Sequence, residues 1–221
     1  MDNDGVTNEG AQRNLEIAIA ASKLLGKPVN PDWEKMIGKI YIPYDQEKQF
    51  HPEFEGAPPW KGGIGHVVPL LAYPFDFPMS EQAKRNDLEN ARQSILWQHG
   101  GAYLLPAIYP IVAAELRDRK LVDDFLAASY KPYMKPPFNV LNEGATGESI
   151  VFLTGTGFLQ QFIYGYTGLR WGENGIAQKF KPFLPSRVKK LVLKNISSRG
   201  KKYDFVVERD TIKQISKDGL Q

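Results

Sequence analysis

The segment FLTGTGFLQQFIYGYTGLRWG, residues 152–172, divides the sequence into two parts with different hydrophobic periodicity. Residues 156–167 predict a helix with apolar side chains on nearly every face, and such a helix must be buried on most of its sides. Gly165 and Gly168 predict close packing of this segment against a neighbour, because glycine has no Cβ atom. After Gly172, apolar residues recur at about every second position, which is typical of strands.

The sequence before this segment predicts a body of helices. Asn30 followed by Pro31 is a helix start, and Ser80 is placed to cap a later helix. Two long connections interrupt the helices, and irregular connections of this length are uncommon unless they are functional. The predicted helices cover about residues 9–25, 31–40, 80–97, 105–117 and 121–130, and the connections cover residues 41–78 and 138–149.

The sequence after the segment predicts a small antiparallel β module. Its apolar and polar residues alternate, and a Ser-Arg-Gly turn signal separates the first two runs. The expected strands lie at about residues 188–196, 203–207 and 212–215, with the turn at residues 198–200.

These patterns together predict a mainly α fold, with a helical body over residues 1–172 and a β-rich module over residues 173–221. The composition agrees with a folded globular chain, because 42% of the 221 residues are apolar and only 24% are charged. The sequence contains no cysteine, which excludes a disulfide scaffold, a cysteine nucleophile and a zinc–thiolate site.

The formal net charge is +3, and basic residues concentrate near the end of the sequence. Residues 187–221 hold ten basic and four acidic residues, which alternate with apolar residues as on the solvent face of strands. We therefore expect no nucleic-acid partner. We also expect no membrane partner, because no apolar run approaches the roughly 20 residues of a membrane span. The acidic start, residues 1–5, does not resemble a signal peptide.

The side chains that could carry chemistry are few. The spacing of His51, His66 and His99 matches no metal motif, so we expect no metal site. The run Thr154-Gly155-Thr156-Gly157 could cradle an anion at a helix start, but it lacks the lysine of a P-loop. A tight turn is the favoured interpretation of that run, and no cofactor is expected. No G-x-S-x-G elbow supports a serine hydrolase.

Carboxylates in the two long connections are more informative. Glu53 lies in the first connection, and Glu143 lies in an Asn-Glu-Gly run in the second. A carboxylate that a loop holds in a cleft can act as an acid or base, or can bind sugar hydroxyls. Trp60 and neighbouring aromatic residues would suit stacking on a sugar ring. From composition alone, a structural or solvated role for each residue is the favoured alternative.

Several motifs occur in a fixed order along the chain: Gln49-Phe50-His51-Pro52-Glu53-Phe54-Glu55-Gly56, Leu70-Leu71-Ala72-Tyr73-Pro74, Phe138-Asn139-Val140-Leu141-Asn142-Glu143, Phe152-Leu153-Thr154-Gly155-Thr156-Gly157-Phe158-Leu159-Gln160 and Tyr164-Gly165-Tyr166-Thr167-Gly168-Leu169-Arg170. This order resembles glycoside hydrolase family 65. Within that family it is most similar to the acid trehalase-like branch, which includes the glucosidases that trim glucosyl-galactosyl-hydroxylysine. The last two motifs are fairly specific as a pair, whereas the β module is generic.

The resemblance implies the C-terminal part of an (α/α)6 barrel of six helical hairpins, followed by a jelly-roll-like module. It also implies hydrolysis of α-glucosidic bonds, in a trehalose-like disaccharide or a glucosyl-glycan, with inversion at the anomeric carbon. Glu143 matches the glutamate that serves as general base in the hydrolytic members. The implied partner is a carbohydrate substrate.

Two departures from the family pattern set further expectations. The Lys-Gln pair that contacts the sugar corresponds here to Ile64-Gly65, so the candidate sugar-binding residues are Trp60, Lys61, His66 and Glu53. The family's general acid lies in a Pro-Asp-Glu-Tyr-like segment whose position would precede Met1. We therefore expect a truncated chain that needs the missing N-terminal half of the barrel. The compartment is open, and secreted, vacuolar and lysosomal locations all agree with a lost N-terminus.

The sequence is also compatible with two alternatives to a hydrolase. The chain could be a non-catalytic remnant that binds sugar or another partner, which the missing acid and the missing Lys-Gln pair favour. It could also be a disaccharide phosphorylase. Phosphorylases of this family have a His-Ser/Thr-Ala-Ala run that binds phosphate, and residues 152–155 of this chain read Phe-Leu-Thr-Gly instead.

Overall fold

A computed structural model of the chain describes residues 2–58, 67–93, 105–142 and 152–216. The chain divides into two compact units, Met1–His99 and Gly100–Gln221. The described residues are rich in helix and contain small antiparallel sheets, in agreement with the mainly α fold that the sequence predicts. Within these residues, no helix is both long enough and apolar enough to cross a membrane.

The helices of the first unit begin at side chains that cap them. Asp4 accepts a hydrogen bond from a backbone N–H of the first helix, and Asn30 and Ser80 do the same for the next two. The caps predicted at Asn30 and Ser80 are confirmed, and the first helix begins earlier than predicted because Asp4 caps it. The elements are α1 (Gly5–Leu24), α2 (Pro31–Met36), a 3-10 turn (Val68–Leu70) and α3 (Glu81–Arg92).

The core of this unit lies around α3 and the 3-10 turn, where Phe50, Leu71 and Leu88 are almost fully buried. Helix α1 contributes little to it, since its buried residues are Gly5 and Glu9. The apolar stripe predicted on α1 remains largely open among the described residues. Its most exposed members are Ile17 at 67%, Leu24 at 87% and Leu25 at 66%.

The second unit is built around α4 (Leu105–Glu115), a buried apolar helix. Helix α5 (Arg119–Ala128) packs against α4, and so does α6 (Phe152–Gln160), which continues as a π-helical turn (Gln161–Gly165). The predicted apolar helix therefore exists, begins four residues earlier than expected and changes its winding at Gln161. Helix α4 is buried because it carries apolar side chains on consecutive positions, so apolar residues lie on every face. Examples are Ile111, Val112, Ala113 and Ala114, which are almost fully buried.

Gly165 and Gly168 both lie at close backbone contacts, as the sequence predicts. A Cβ atom at Gly165 would lie 3.1 Å from the Cα atom of Ile111 on α4. Gly168 has a positive φ of 72°, and a Cβ atom there would lie 2.1 Å from the carbonyl oxygen of Phe180. Neither approach leaves room for a side chain without movement of the backbone.

The described strands are β1 (Met134–Lys135), β2 (Val140–Leu141), β3 (Leu169–Gly172), β4 (Gly175–Gln178), β5 (Lys190–Ser198), β6 (Lys201–Glu208) and β7 (Thr211–Ser216). They form three small antiparallel sheets, which pair β1 with β2, β3 with β4, and β6 with both β5 and β7. The predicted β5–β6 hairpin and the third strand are confirmed. The four-residue strands β3 and β4 are not predicted by the sequence, because they are too short to establish an alternating pattern. The domain boundary near Gly172 stays a prediction.

Candidate functional site

The residues predicted for the site divide into two groups. Trp60, Lys61, His66 and Glu143 lie outside the described residues. Glu53 lies inside them, half-buried, at a bend in the long connection between α2 and the 3-10 turn. Of these predicted residues, Glu53 is therefore the one whose surroundings are defined.

The backbone around Glu53 is held against the start of α1. The N–H of Gly5 donates to the carbonyl oxygen of Glu53 at 2.8 Å, and the N–H of Glu55 donates to the carbonyl oxygen of Asp2 at 3.1 Å. The side-chain amide of Asn3 also donates to the Glu55 carboxylate at 2.7 Å. These bonds fix the position of Glu53 relative to the residues that precede and begin α1.

The preceding part of the same connection is held by α3. A turn between Asp45 and Phe50 closes with backbone hydrogen bonds in both directions. The side-chain amide of Asn86, on α3, donates to the carbonyl oxygens of Lys48 and Gln49 at 2.9 Å each. The connection is irregular in sequence, yet these hydrogen bonds hold residues 45–50 of it in one conformation.

A buried His51–Asp87 pair completes this attachment. The backbone N–H of His51 donates to Oδ1 of Asp87 at 2.8 Å, and Nδ1 of His51 lies 2.8 Å from Oδ2. The two residues are 3% and 2% exposed. Burial raises the pKa of the Asp87 carboxyl, and the hydrogen bonds from His51 oppose that rise.

His51 is therefore a packed and hydrogen-bonded residue in this geometry. Nothing in the sequence near His51 indicates Asp87, because 36 residues separate the two. The position of Asp87 on the inner face of α3, next to Leu88, is the pattern that could have indicated a buried carboxylate.

The residues that lead directly into Glu143 are also fixed. Strands β1 and β2 form a short hairpin in which Met134 pairs with Leu141. After it, the N–H of Asn142 donates to the carbonyl oxygen of Tyr133 at 2.9 Å, and both residues are buried. Glu143 therefore follows a residue whose backbone position is set by the second unit.

A buried polar chain supports the end of α6 in the same unit. The side-chain amide of Gln161 donates to Oγ of Ser129 at 2.9 Å, and the hydroxyl of Tyr166 donates to Oε1 of Gln161 at 2.8 Å. Burial raises the pKa of Tyr166, so its hydroxyl remains protonated and acts as a donor. This chain links α5 to the π-helical turn and stabilises the frame rather than supplying a reactive group.

The chemistry available in the described residues is that of carboxylates and hydrogen-bond donors. No group of three or more histidine, aspartate or glutamate side chains in the described ranges could hold a metal ion. A carboxylate held at a fixed backbone position, as at Glu53, can accept hydrogen bonds from sugar hydroxyls or transfer a proton.

Comparison with known proteins identifies relatives along nearly the whole chain, although no protein-family model matches it. The protein-glucosylgalactosylhydroxylysine glucosidase of Danio rerio is 37% identical over 96% of this chain and 32% of its own length. The kojibiose hydrolase of Mucilaginibacter mallensis is 32% identical over 92% of this chain and 30% of its own length. A periplasmic/secreted acid trehalase of Candida glabrata is 26% identical over 94% of this chain and 19% of its own length.

A solved structure assigned as a kojibiose phosphorylase from the human microbiome shares the fold, with a TM-score of 0.61 at 14% identity. The match covers 97% of this chain and 34% of that one. The chain thus spans about a third of the length of the first curated relatives that it matches. Over nearly all of its length, the chain is related to the glucosylgalactosylhydroxylysine glucosidases and the acid trehalases, as its motifs predicted, and also to the kojibiose hydrolases.

Proposed function

We propose that the chain is part of a glycoside hydrolase that cleaves α-glucosidic bonds with inversion, and that Glu143 is the general base. The observation that carries this proposal is the similarity, over nearly the whole chain, to enzymes named for glucosyl substrates. Its helices would form part of an (α/α)6 barrel, and the substrate would be a disaccharide or a glucosyl-glycan.

An inverting hydrolase needs two carboxyl groups on opposite sides of the scissile bond, about 6.5–9.5 Å apart, so that a water molecule fits beside the base. Glu143 would deprotonate that water, which attacks the anomeric carbon while a second carboxyl group protonates the leaving oxygen. The fixed backbone at Asn142 supports this role, because a base must stay within hydrogen-bond reach of its water.

Sugar recognition is proposed for the first long connection. Glu53 would accept hydrogen bonds from glucosyl hydroxyls, and Trp60 would stack on the ring. Lys61 and His66 would supply the donors that the family's Lys-Gln pair supplies elsewhere. The support for Glu53 is its half-buried position on a backbone that is bonded to residues before and within α1.

The test is glucose release from kojibiose, trehalose and glucosylgalactosyl-hydroxylysine. The anomer of the first-formed glucose is read by NMR on glucosylgalactosyl-hydroxylysine, because all of the glucose released from it comes from the attacked side of the bond. We expect β-glucose, and we expect Glu143→Gln to lower turnover by about 10²–10⁴-fold, the usual contribution of a general base. Glu47→Gln is the matched control, because Glu47 is exposed on the turn that precedes Glu53. Full activity of Glu143→Gln, or release of α-glucose, would refute the assignment.

A second candidate function is sugar binding without turnover, which the replacement of the Lys-Gln pair by Ile64-Gly65 favours. Calorimetric titration of the same disaccharides distinguishes it, since binding with no glucose release supports binding alone. If the sugars are neither bound nor cleaved, both proposals are overturned. Phosphate-dependent formation of glucose 1-phosphate would instead identify a phosphorylase.

A further inference from the structure

A cavity of about 330 Å³ lies beside the buried His51–Asp87 pair in the first unit. It is at the small end of the range for ligand sites, so it suits one six-membered ring rather than an oligosaccharide. The residues around it include Tyr44 and His51 from the connection after α2, and Phe77, Met79 and Ser80 from the segment before α3.

The imidazole of His51 lines this cavity, and its neighbours hold the ring in place. Its Nδ1 atom is bonded to Asp87 at 2.8 Å, and its ring lies between Tyr44 and Phe77, with centroids 4.8 Å and 5.7 Å away. The other ring nitrogen, Nε2, has no hydrogen-bond partner within the described ranges. A buried histidine that is oriented by a carboxylate leaves Nε2 as the atom that can bond to a ligand.

Two hydroxyl groups accompany this nitrogen. The hydroxyl of Tyr44 makes no hydrogen bond in the part of the chain that the structure describes. Oγ of Ser80 accepts the N–H of Ala83 at 3.1 Å, so its own hydrogen is left to donate. Polar groups on an otherwise apolar cavity wall match a ligand that has hydroxyls on its edge and C–H groups on its faces.

We infer that this cavity is a second sugar-binding site, which takes a single hexopyranose unit and binds one of its hydroxyls through Nε2 of His51. Phe77 and Met79 would contact the apolar face of the ring, and the Tyr44 and Ser80 hydroxyls would bond to its edge. The choice of a sugar rests on the proposed function, whereas the site itself rests on the geometry of the cavity.

The main alternative is that the His51–Asp87 pair only attaches the connection to α3. In that case a sugar would not change the environment of Nε2, and the Tyr44 hydroxyl would have no effect on sugar binding. The experiment therefore needs a readout at Nε2 and a variant that removes a hydroxyl without disturbing the pair. Tyr44→Phe meets that need, because phenylalanine retains the ring contact with His51.

The test titrates the full 221-residue chain with methyl α-glucoside and follows the ¹⁵N signals of the assigned His51 ring by NMR. We expect the Nε2 signal to move with saturation, and Tyr44→Phe to weaken binding by about threefold to tenfold, the effect of one hydrogen bond. Tyr41→Phe is the control and should bind as the parent does, since Tyr41 is half exposed and lies outside the cavity wall. An unmoved Nε2 signal, or unchanged affinity in Tyr44→Phe, would overturn the inference.

Two further measurements complete the test: one distinguishes this site from the proposed catalytic site, and the other tests whether its ligand is a sugar. Glu143→Gln should leave the titration at His51 unchanged, and a loss of the His51 shift in that variant would overturn the claim of a second site. Cyclohexanol, which has the ring and one hydroxyl, should bind much more weakly than the glucoside. Equal binding of cyclohexanol would overturn the assignment of a sugar. A saturable His51 shift together with full activity of Glu143→Gln would refute the proposed role of Glu143 alone.

Discussion

Among the described glycines, Gly168 leaves the least room for a side chain. It lies between the π-helical turn and β3, with a φ of 72°, and its missing Cβ atom would lie 2.1 Å from the carbonyl oxygen of Phe180. The residue before Phe180 also bonds to Gly168: the backbone N–H of Lys179 donates to the carbonyl oxygen of Gly168 at 2.8 Å. We predict that Gly168→Ala destabilises the second unit strongly.

The magnitude follows from two separate contributions. A left-handed backbone conformation costs an alanine about 1–2 kcal/mol. Overpacking that forces a backbone shift costs a further ~1–3 kcal/mol, and a contact at 2.1 Å with a carbonyl oxygen cannot be relieved by a side-chain rotation. The expected loss in the free energy of unfolding is therefore about 2–5 kcal/mol.

Two glycines of the same unit provide matched controls. Gly200 has a positive φ of 74°, and a methyl group added there would have nothing within 4 Å, so Gly200→Ala carries the conformational cost alone. Gly172 has neither the positive φ nor a close neighbour, so Gly172→Ala should change the free energy of unfolding by less than about 1 kcal/mol.

The assay is urea unfolding of the three variants and the parent, followed by far-ultraviolet circular dichroism, with the midpoint and the slope compared. We expect the midpoint to be highest for Gly172→Ala, lower for Gly200→Ala and lowest for Gly168→Ala. If Gly168→Ala loses no more stability than Gly200→Ala, the close approach of Phe180 contributes nothing and the reasoning is refuted.

Two buried polar groups give further predictions. Tyr166→Phe removes the donor to Oε1 of buried Gln161 and should lower the free energy of unfolding by about 1–3 kcal/mol, because that acceptor is then left unpaired. Urea unfolding measures the change, and a Tyr166→Phe variant as stable as the parent would contradict this account. Burial raises the pKa of Glu9 above its usual 4.5, although Arg13 opposes the rise. The folded state then binds this proton more tightly than the unfolded state, so the contribution of Glu9 to stability is lost as pH rises from about 4.5 through its folded pKa. Glu9→Gln should therefore gain stability relative to the parent across that range, and a difference independent of pH between about 4 and 8 would contradict the assignment.

Local signals in the sequence predicted much of the secondary structure. Asn30 and Ser80 cap helices as expected, and the β5–β6 hairpin lies at its Ser-Arg-Gly turn, because these features depend on neighbouring residues. The burial of α1 could not be predicted in the same way. Its apolar stripe is real, yet amphipathic periodicity indicates a face and not what covers it, and Leu24 is 87% exposed.

The candidate site was harder to predict for the same reason. The motif around Glu53 was recognisable from its order along the chain, whereas the partners that hold it come from distant positions. Asp87 and Asn86 bond to this connection from α3, and nothing in the sequence near His51 indicates them. Glu143 remains a prediction from resemblance, supported by the fixed backbone of Asn142.

The attachment of the first long connection also bears on the order of folding. Its bonds join residues far apart in the sequence, 36 positions between His51 and Asp87 and 52 between Asn3 and Glu55. Closing loops of this length costs conformational entropy, and that cost arises before the contacts can stabilise the fold. The connection is therefore expected to acquire its native geometry after α1 and α3 have formed, so the position of Glu53 would be among the last features to appear during folding.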